Sequence, residues 1–469
     1  MIPTHDLAFF LDYYHLTMAQ GFFYAQHHER KARFDYSFRS LPFGGGYAVF
    51  AGLGSLLPLL QNDFKFHPQQ LRFLRQQGFK DEFLNYLASF QFRGDVSSVR
   101  EGEVVFPNAP LVVVEGRLVE CLLIETLLLN QLNFSTLIAT KAARLRHAAD
   151  GRKVVEYGLR RAQSWGGLTA SLSAWVGGAQ GTSNVWAAYE YGIPLSGTMA
   201  HAWVQAFDSE LEAFRTYANL YPDRCVLLVD TYDTLKSGLP NAIKVAKELE
   251  SQGHRLQAVR LDSGDLAQLS IAARRLLDRN KLHYVQIAAS NDLDEKLIRS
   301  LIAQGAKIDI FGIGTNLVTA KDSPALGGVY KLAVIDEQPR VKISENIYKV
   351  NLPGHKKLLR WVDDAGQFRA DGVILTGEEV PKRLYDPYLS DQITDLGRWM
   401  ATEIQEPVMK NGKLLTALPK PAECMEFAQN RLAHLPEPHK RFEYPHLYPV
   451  GISRSLQQLR SRLVRSRNQ

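Results

Sequence analysis

Beyond residue 151 the chain alternates short apolar runs with longer amphipathic stretches, the pattern of βα units around a parallel sheet. The apolar runs predict strands at 153–155, 193–195, 225–229, 258–261, 284–287 and 308–311. Their spacing leaves room for a strand, a helix and two loops in each repeat. This pattern predicts a barrel-like α/β domain.

The first third of the chain mixes helical and strand periodicity. An apolar start at 7–23, a glycine cluster at 44–46 and a valine run at 112–114 predict an α+β arrangement. From 124 to 147 apolar residues recur at helical spacing, and the last turn is basic, as a helix C-terminus favours. One long helix is therefore predicted there.

After residue 326 the pattern becomes that of antiparallel strands, at 329–334, 340–343 and 346–349. We expect these strands to pair with the N-terminal ones, so that both chain ends build a second α+β, sandwich-like domain. The predicted division is an N-terminal α+β domain at 1–125, an α/β barrel at 126–328, a β-rich segment at 329–420 and a basic, solvated helical tail at 421–469.

Composition narrows the class of protein. Of 469 residues, 45% are hydrophobic and 22% charged, a globular mixture that excludes disorder as the main state. The net charge of +6 is a mild excess for this length, which suits anionic small molecules and predicts no nucleic-acid partner. Three cysteines without CxxC spacing indicate neither a disulfide framework nor a zinc knuckle. Without a basic signal region or a long apolar segment, we expect a cytoplasmic protein with no membrane partner.

Polar or glycine-rich clusters follow almost every predicted strand of the barrel. They lie at 156–161, 196–201, 230–233, 260–265, 290–292 and 312–316. The carboxyl ends of parallel strands converge on one mouth, where barrel enzymes keep their chemistry. An active site is therefore predicted at this face.

Small residues at two neighbouring strand ends predict a phosphate pocket. Gly312, Gly314 and Thr315 follow one strand, and their backbone N–H groups can hold a phosphate. The spacing is not the dinucleotide GxGxxG motif, and a tight βα turn is the alternative. Ser290 and Asn291 follow the preceding strand and add further donors.

Arg260 and Asp262 stand two apart at a strand end and point to the same side if the strand extends that far. They either pair with each other or bind substrate, Arg260 taking a carboxylate and Asp262 a sugar hydroxyl. Asp265 is predicted to cap the next helix. Arg160 and Arg161 also follow a strand, where one could bind substrate while the other pairs with an acid.

His201 ends a Gly-Thr-Met-Ala-His turn before an apolar helix. The residues alone leave a structural and a catalytic role open. Because no HxH, HExxH or Cys/His spacing accompanies it, a metal ligand is not predicted.

Seven motifs in order, between residues 12 and 353, together resemble the nicotinate phosphoribosyltransferase family. They are DYYHLTM at 12–18, GLRRAQ at 158–163, TSNV at 182–185, GTMAH at 197–201, RLDSGD at 260–265, FGIGT at 311–315 and YKL at 330–332. The resemblance implies a type II phosphoribosyltransferase with an incomplete α/β barrel and a sandwich-like domain. It also implies a homodimer with shared active sites.

The implied reaction joins nicotinate to phosphoribosyl pyrophosphate, giving nicotinate mononucleotide and pyrophosphate, with Mg²⁺ and coupled ATP hydrolysis. By resemblance, His201 is the histidine that ATP phosphorylates. Tyr157 and Tyr14 of the partner subunit would sandwich the pyridine ring, with Thr182 and Ser183 beside it. The remaining implied contacts are Arg260 and Arg160 with the nicotinate carboxylate, Asp262 with the ribose hydroxyls, Ser290, Asn291, Gly312, Gly314 and Thr315 with the 5′-phosphate, and Lys331, Lys342 and Arg39 with pyrophosphate.

Two rival enzymes share parts of this pattern. In the nicotinamide-using relatives an Asp stands where this chain has Ser183, and a carboxylate there would repel nicotinate, so nicotinate is preferred. A sugar-phosphate lyase or isomerase would need a Schiff-base Lys or a Glu base at a strand end. The strand-end clusters contain no Lys and only Glu156.

Overall fold

The computed structural model describes residues 7–345, 350–389 and 391–467, so the strand predicted at 346–349 lies outside the described residues. The chain forms two compact units. Lys141–Pro324 is here called the central unit, and Met1–Thr140 with Ala325–Gln469 the terminal unit. A second domain built from both chain ends is thereby confirmed, while the finer boundaries at 126, 329 and 421 stay predictions.

The helices alternate with strands through most of the described chain. The α-helices are α1 Tyr13–Tyr24, α2 Leu53–Pro58, α3 Pro68–Gln76, α4 Asp81–Ala88, α5 Leu118–Leu123, α6 Glu125–Ala148, α7 Gly166–Val176, α8 Val185–Tyr191, α9 His201–Gln205, α10 Glu210–Leu220, α11 Leu239–Ser251, α12 Leu266–Arg279, α13 Glu295–Ala303, α14 Thr315–Val318, α15 Pro421–His434, α16 Glu437–Lys440 and α17 Arg454–Arg467. The long helix predicted at 124–147 is α6. Among the residues that the structure describes, none of these helices has both the length and the apolarity that a membrane span needs.

The strands fall into one parallel sheet, two larger antiparallel or mixed sheets and one short pair. They are β1 Lys31–Phe38, β2 Ala48–Val49, β3 Asp95–Val99, β4 Val104–Val105, β5 Val112–Arg117, β6 Lys153–Glu156, β7 Val226–Leu228, β8 Ala258–Leu261, β9 Gln286–Ala289, β10 Ile310–Ile313, β11 Gly328–Ile335, β12 Gln338–Pro339, β13 Lys356–Val362, β14 Phe368–Leu375, β15 Arg383–Tyr385, β16 Ile393–Asp395, β17 Met400–Glu403, β18 Gln405–Lys410, β19 Lys413–Leu414 and β20 Val450–Ile452.

The central unit is built on a parallel sheet with the order β6-β10-β9-β8-β7. Parallel bridges from Glu156 to Thr182 and from Thr182 to Leu195 extend it beyond β6. Among the described residues no pairing joins Leu195 to β7, so the barrel is incomplete, as predicted.

Three predicted strands of this unit differ from the observed ones. The prediction of a strand at 193–195 is wrong. The structure has only a single bridge there, at Leu195. Pro194 lacks an N–H, so it contributes only its carbonyl, which accepts from Thr182 N at 3.1 Å. The strands predicted at 284–287 and 308–311 are β9 and β10, each displaced by two residues toward the C-terminus.

The terminal unit contains an antiparallel sheet, β12-β11-β1-β5-β3-β18-β19, and a mixed sheet, β16-β15-β20-β14-β13-β17. In β1, Ala32, Phe34, Tyr36 and Phe38 are buried in the core, and the residues between them face the other side. β1 pairs with both β5 and β11, so an N-terminal strand does meet a returning one, as predicted.

The later part of the terminal unit needs two corrections. Residues 340–343 form no strand, because the chain leaves the sheet after the short β12. The segment predicted as a solvated tail is largely helical, in α15, α16 and α17. It also contributes β20, which pairs with β14 and β15 inside the mixed sheet, so the segment is part of the fold.

Candidate active site

A cavity of about 400 Å³ lies in the central unit, where the parallel strands end. Its lining comes from the loops after β6 and β8, from the carboxyl ends of β7 and β8 themselves, and from the turns before α8 and α9. The lining residues are Tyr157, Leu159, Arg160, Ser183, Gly197, Thr198, Met199, Ala200, His201, Leu228, Arg260 and Asp262. Six residues that the sequence predicted for the site, Tyr157, Arg160, Ser183, His201, Arg260 and Asp262, are thus brought together.

Arg260 lies on β8 and its guanidinium is held on three sides. It donates to Ser290 Oγ at 2.9 Å, to Thr198 Oγ1 at 2.8 Å and to Asp262 Oδ1 at 2.9 Å. The pairing of Arg260 with Asp262, which the sequence left as an alternative, is therefore present. Because a guanidinium has five N–H donors, the pairing does not exhaust its capacity for an anion.

Asp262 is held as a carboxylate. Burial alone would raise its pKa, but hydrogen bonds from Ser290 and Arg260, with the nearby charges, bring the pKa below its ordinary value. The group is consequently a permanent acceptor at neutral pH. Its second oxygen, Oδ2, lies 3.8 Å from Nε2 of His201.

His201 is the first residue of α9, and its ring nitrogens have different neighbours. Nδ1 lies 3.1 Å from Thr231 Oγ1, and Nε2 faces Asp262. The side chain is 38% exposed, so the imidazole is positioned by the protein and still open to a phosphoryl donor. A buried core histidine would not have this access, and the geometry suits a chemical role.

Asp230 follows β7 and was not assigned a role from the sequence. Its Oδ2 accepts from Asp262 N and Ser263 Oγ, both at 2.7 Å, which fixes the loop that carries Asp262. Its Oδ1 is buried, with no hydrogen-bond partner among the described residues. The available signal was its position after a predicted strand, but the sequence could not show that one oxygen would be left unpaired.

Arg160 and Ser183 supply the other polar groups of the cavity. Arg160 is exposed, and its guanidinium makes no hydrogen bond or ion pair with any described residue. Ser183 is half-buried, between Thr182 and Asn184, which are both buried. Tyr157 OH lies 3.4 Å from Ser196 Oγ. The cavity thus offers an unpaired cation, a neutral hydroxyl and an aromatic face.

The predicted phosphate residues lie around this cavity without lining it. Ser290 Oγ is engaged with Arg260 and Asp262, and exposed Asn291 has a φ of +99°. A Cβ at Gly312 would lie 2.4 Å from Cε2 of Tyr157, so this position needs glycine for the Tyr157 ring whether or not phosphate binds. Gly314 and Thr315 begin the short helix α14. The phosphate roles stay predictions.

Thr182 is predicted to bind substrate, and its side chain is buried. Its Oγ1 donates to Glu156 Oε2 at 2.5 Å and accepts from Asn184 N at 3.0 Å. The hydroxyl is therefore used within the protein, and its contact with substrate stays a prediction.

Four predicted site residues belong to the terminal unit. Tyr14 is on α1 and 49% exposed, and burial together with Glu125 and Asp12 raises its pKa. Arg39 and Lys331 line a cavity of about 60 Å³. Burial and the charges of Arg39 and Lys342 lower the pKa of Lys331, against the opposite effect of Glu125. Lys331 is therefore a partly buried cation with two further cations, Arg39 and Lys342, near enough to act on it.

The described residues contain no cluster of three or more His, Cys, Asp or Glu that could hold a metal alone. Mg²⁺ commonly uses only one or two carboxylates and takes its other ligands from substrate phosphates and water. The unpaired Oδ1 of Asp230 and the ionised Asp262 provide oxygen donors of that kind. The residues present therefore fit this ion.

Comparison with known proteins gives consistent matches over nearly the whole chain. The models for the nicotinate phosphoribosyltransferase (NAPRTase) N-terminal domain, family and C-terminal domain match residues 9–133, 152–361 and 355–460. The nicotinate phosphoribosyltransferase of Bacillus subtilis is 42% identical over 464 residues, 96% of this chain and 93% of the relative. That of Bos taurus is 34% identical over 515 residues, 96% of each chain.

A solved structure agrees with these matches. The crystal structure of human nicotinic acid phosphoribosyltransferase superposes with a TM-score of 0.85 at 30% identity, covering 97% of this chain and 99% of the human one. The incomplete parallel barrel and its strand-end cavity thus define a type II phosphoribosyltransferase. More specifically, the chain belongs to the nicotinate phosphoribosyltransferase family.

Proposed function

We propose that this enzyme transfers the phosphoribosyl group of phosphoribosyl pyrophosphate to nicotinate, giving nicotinate mononucleotide and pyrophosphate for NAD synthesis. The observation that carries the proposal is the strand-end cavity, in which the unpaired Arg160 lies with Tyr157, Ser183 and the fixed Arg260. A planar aromatic anion requires such a combination of ring face and cation. Family membership supports this reaction against the sugar-phosphate lyase alternative.

The pyridine ring of nicotinate would lie against Tyr157, with its carboxylate on Arg160 and Arg260. Ser183 is neutral and can donate to that carboxylate, whereas an acidic residue there would repel it. Arg160 is suited to this role because no group of the described protein competes for its guanidinium. These contacts select an acid over an amide.

The transfer itself proceeds through a state with oxocarbenium character while pyrophosphate leaves. The protein therefore needs to align nicotinate nitrogen with the anomeric carbon and stabilise the departing charge, and no protein nucleophile toward carbon is required. Asp262 would accept from the ribose hydroxyls, a role that its lowered pKa supports. Ser290, Asn291, Gly312, Gly314 and Thr315 would receive the 5′-phosphate.

ATP enters as a co-substrate through His201. In the proposed step, an imidazole nitrogen attacks the γ-phosphorus of ATP, the P–O bond to ADP breaks, and the histidine carries the phosphoryl group until water removes it. Exposure of the ring favours this step, and the contacts with Thr231 and Asp262 orient it. Mg²⁺, when bound, would neutralise phosphate charge, and Asp230 with Asp262 would hold it.

The active enzyme would be a homodimer whose sites use residues of both subunits. Tyr14 of one subunit would cover the nicotinate bound in the cavity of the other. Arg39, Lys331 and Lys342 would meet the pyrophosphate, a role that the action of Arg39 and Lys342 on the Lys331 ammonium supports.

The reaction is tested with purified protein, labelled nicotinate, phosphoribosyl pyrophosphate and Mg²⁺, with and without ATP. We expect labelled mononucleotide and pyrophosphate in both cases, and faster formation with ATP. Turnover of labelled nicotinamide with none of nicotinate would contradict the proposal.

A further inference from the structure

Glu156 ends β6 and its side chain is completely buried. One carboxylate oxygen accepts from Gly158 N, and the other accepts from Ser171 Oγ at 2.9 Å and Thr182 Oγ1 at 2.5 Å. No described cation forms an ion pair with it. Burying a carboxylate costs folding free energy unless hydrogen bonds satisfy its oxygens. The Glu156 carboxylate therefore constrains the positions of its three hydrogen-bond donors.

Two of these donors, Gly158 and Thr182, belong to the two segments that carry the nicotinate-binding side chains, and the third, Ser171, lies on α7. Gly158 begins the turn that leads to Arg160. Thr182 directly precedes Ser183, and its Oγ1 also accepts from Asn184 N at 3.0 Å. Ser183 N itself donates to the backbone oxygen of Glu156 at 2.9 Å. Ser183 therefore lies between Thr182 and Asn184, and the Thr182 hydroxyl links both of these residues to Glu156.

The arrangement also has a fixed hydrogen-bond direction. A carboxylate only accepts, so Thr182 must donate to it and must present a lone pair to the N–H of Asn184. The side-chain oxygen of Asn184 then accepts from Trp186 N and Ala187 N and caps α8. The loop has one consistent arrangement, which fixes where Ser183 enters the cavity.

We propose that Glu156 and Thr182 are positioning residues that set the preference for nicotinate over nicotinamide, by holding Ser183 and the Arg160 turn in place. The inference rests on the proposed function. Discrimination between a carboxylate and an amide depends on the placement of the recognising groups, so loosening this support weakens selection more than it weakens the transfer step.

The test compares Thr182→Val with Thr140→Val. Both replace a buried threonine hydroxyl that accepts from a backbone N–H and donates to an oxygen; for Thr140 these partners are Val49 N at 2.9 Å and Thr136 O at 2.6 Å. Thr140 belongs to the terminal unit and is not assigned to the site. Both variants should lose thermal stability, since both leave an N–H without its acceptor, and Thr182→Val should lose more because the buried Glu156 also loses a donor.

Only Thr182→Val should raise the KM for nicotinate, by roughly tenfold, and lower the nicotinate-to-nicotinamide ratio of kcat/KM, with kcat changed by less than about threefold. Thr182→Ser, which keeps the hydroxyl, should restore most of the ratio. Glu156→Gln should lower it as well, because its amide can accept from Gly158 N but turns an NH₂ toward the Thr182 hydroxyl. This variant carries the test if Thr182→Val does not fold.

The inference would be overturned by an unchanged nicotinate-to-nicotinamide ratio of kcat/KM in Thr182→Val and Glu156→Gln, or by the same change of this ratio in Thr140→Val. The proposed function would still stand in that case if the wild-type protein turns over nicotinate. Failure of the wild-type protein to form the mononucleotide would instead overturn the proposed function.

Discussion

At the scale of single residues, the site separates anion recognition from phosphoryl chemistry. Arg160 has no partner among the described residues, whereas Arg260 is held by three groups before any substrate arrives. Fixed donors lose little conformational freedom on binding, and an unpaired surface arginine supplies charge that is not already neutralised. His201, in contrast, is placed by a hydroxyl and a carboxylate on an exposed edge.

We predict that His201→Ala abolishes phosphorylation by ATP while retaining ATP-independent mononucleotide synthesis, because the histidine acts on phosphorus and not on carbon. The measurement is acid-labile label after incubation with γ-labelled ATP. His254→Ala is a suitable control, since His254 also lies beside a carboxylate, with Nδ1 2.8 Å from Asp223 Oδ1. Label remaining on His201→Ala would show that another residue accepts the phosphoryl group.

At the scale of elements, the close approach of β10 to the turn after β6 shapes the cavity. Gly312→Ala should displace the Tyr157 ring, because the added Cβ would lie 2.4 Å from it, and raise the KM for nicotinate roughly tenfold. Gly21→Ala, which meets nothing within 4 Å, should leave kinetics unchanged. Steady-state kinetics of both variants measures this, and equal KM values would mean that the Tyr157 ring does not contact nicotinate.

A second prediction concerns the stability of the mixed sheet. Arg360, on β13, is buried and donates to Asp371 Oδ2 at 2.7 Å and to Glu103 Oε1 at 2.5 Å. Arg360→Met should cost about 3 to 5 kcal/mol, because Asp371 remains buried without its cation. Arg369→Met removes the exposed pair with Asp363 and should cost at most about 1 kcal/mol. Denaturant unfolding compares them, and equal losses would contradict this difference.

The elements show how far a sequence alone predicts this fold. The parallel strands and α6 follow from hydrophobic periodicity and were predicted, as was the return of β11 to an N-terminal strand, although β1 itself was not predicted. The strand at 193–195 was not realised, because Pro194 cannot donate to a neighbouring strand. Two further strands were displaced by two residues, since an apolar run does not show where pairing begins.

The sequence likewise predicted which residues meet in the site, but not the hydrogen bonds that hold them. Parallel strands bring their ends together, so the proximity of Tyr157 and Asp262 follows from their positions after β6 and β8, and His201 joins them from the turn after the bridge at Leu195. The unpaired oxygen of Asp230 and the hydroxyl donors on Glu156, Ser171 and Thr182, depend on hydrogen-bond directions between different segments of the chain. No local pattern encodes those directions, so only the structure could reveal them.

At the scale of the whole molecule, the predicted site residues are divided between the two units. Tyr14 and the cations Arg39, Lys331 and Lys342 belong to the terminal unit, while the cavity belongs to the central unit. The proposed dimer assigns Tyr14 to the site of the partner subunit. Activity would then require residues from two chains.

Mixing inactive Tyr14→Ala and Arg260→Ala proteins under subunit exchange tests this assignment. Half of the dimers would be heterodimers, each with one intact site, so activity should recover to about a quarter of wild type. Native mass spectrometry of mass-tagged chains verifies the exchange. No recovery once exchange is complete would contradict shared sites.

The central claim, that nicotinate binds in the cavity of the central unit, is tested most directly by comparing two adjacent arginines. Arg160 lines the cavity and Arg161 does not, although both follow β6 in the same short turn. The measurement is kcat/KM for nicotinate in Arg160→Met and Arg161→Met. The account predicts a loss of roughly tenfold to a hundredfold for Arg160→Met and at most about threefold for Arg161→Met, since only the first removes a charge-assisted contact. Equal losses, or no loss in Arg160→Met, would contradict it.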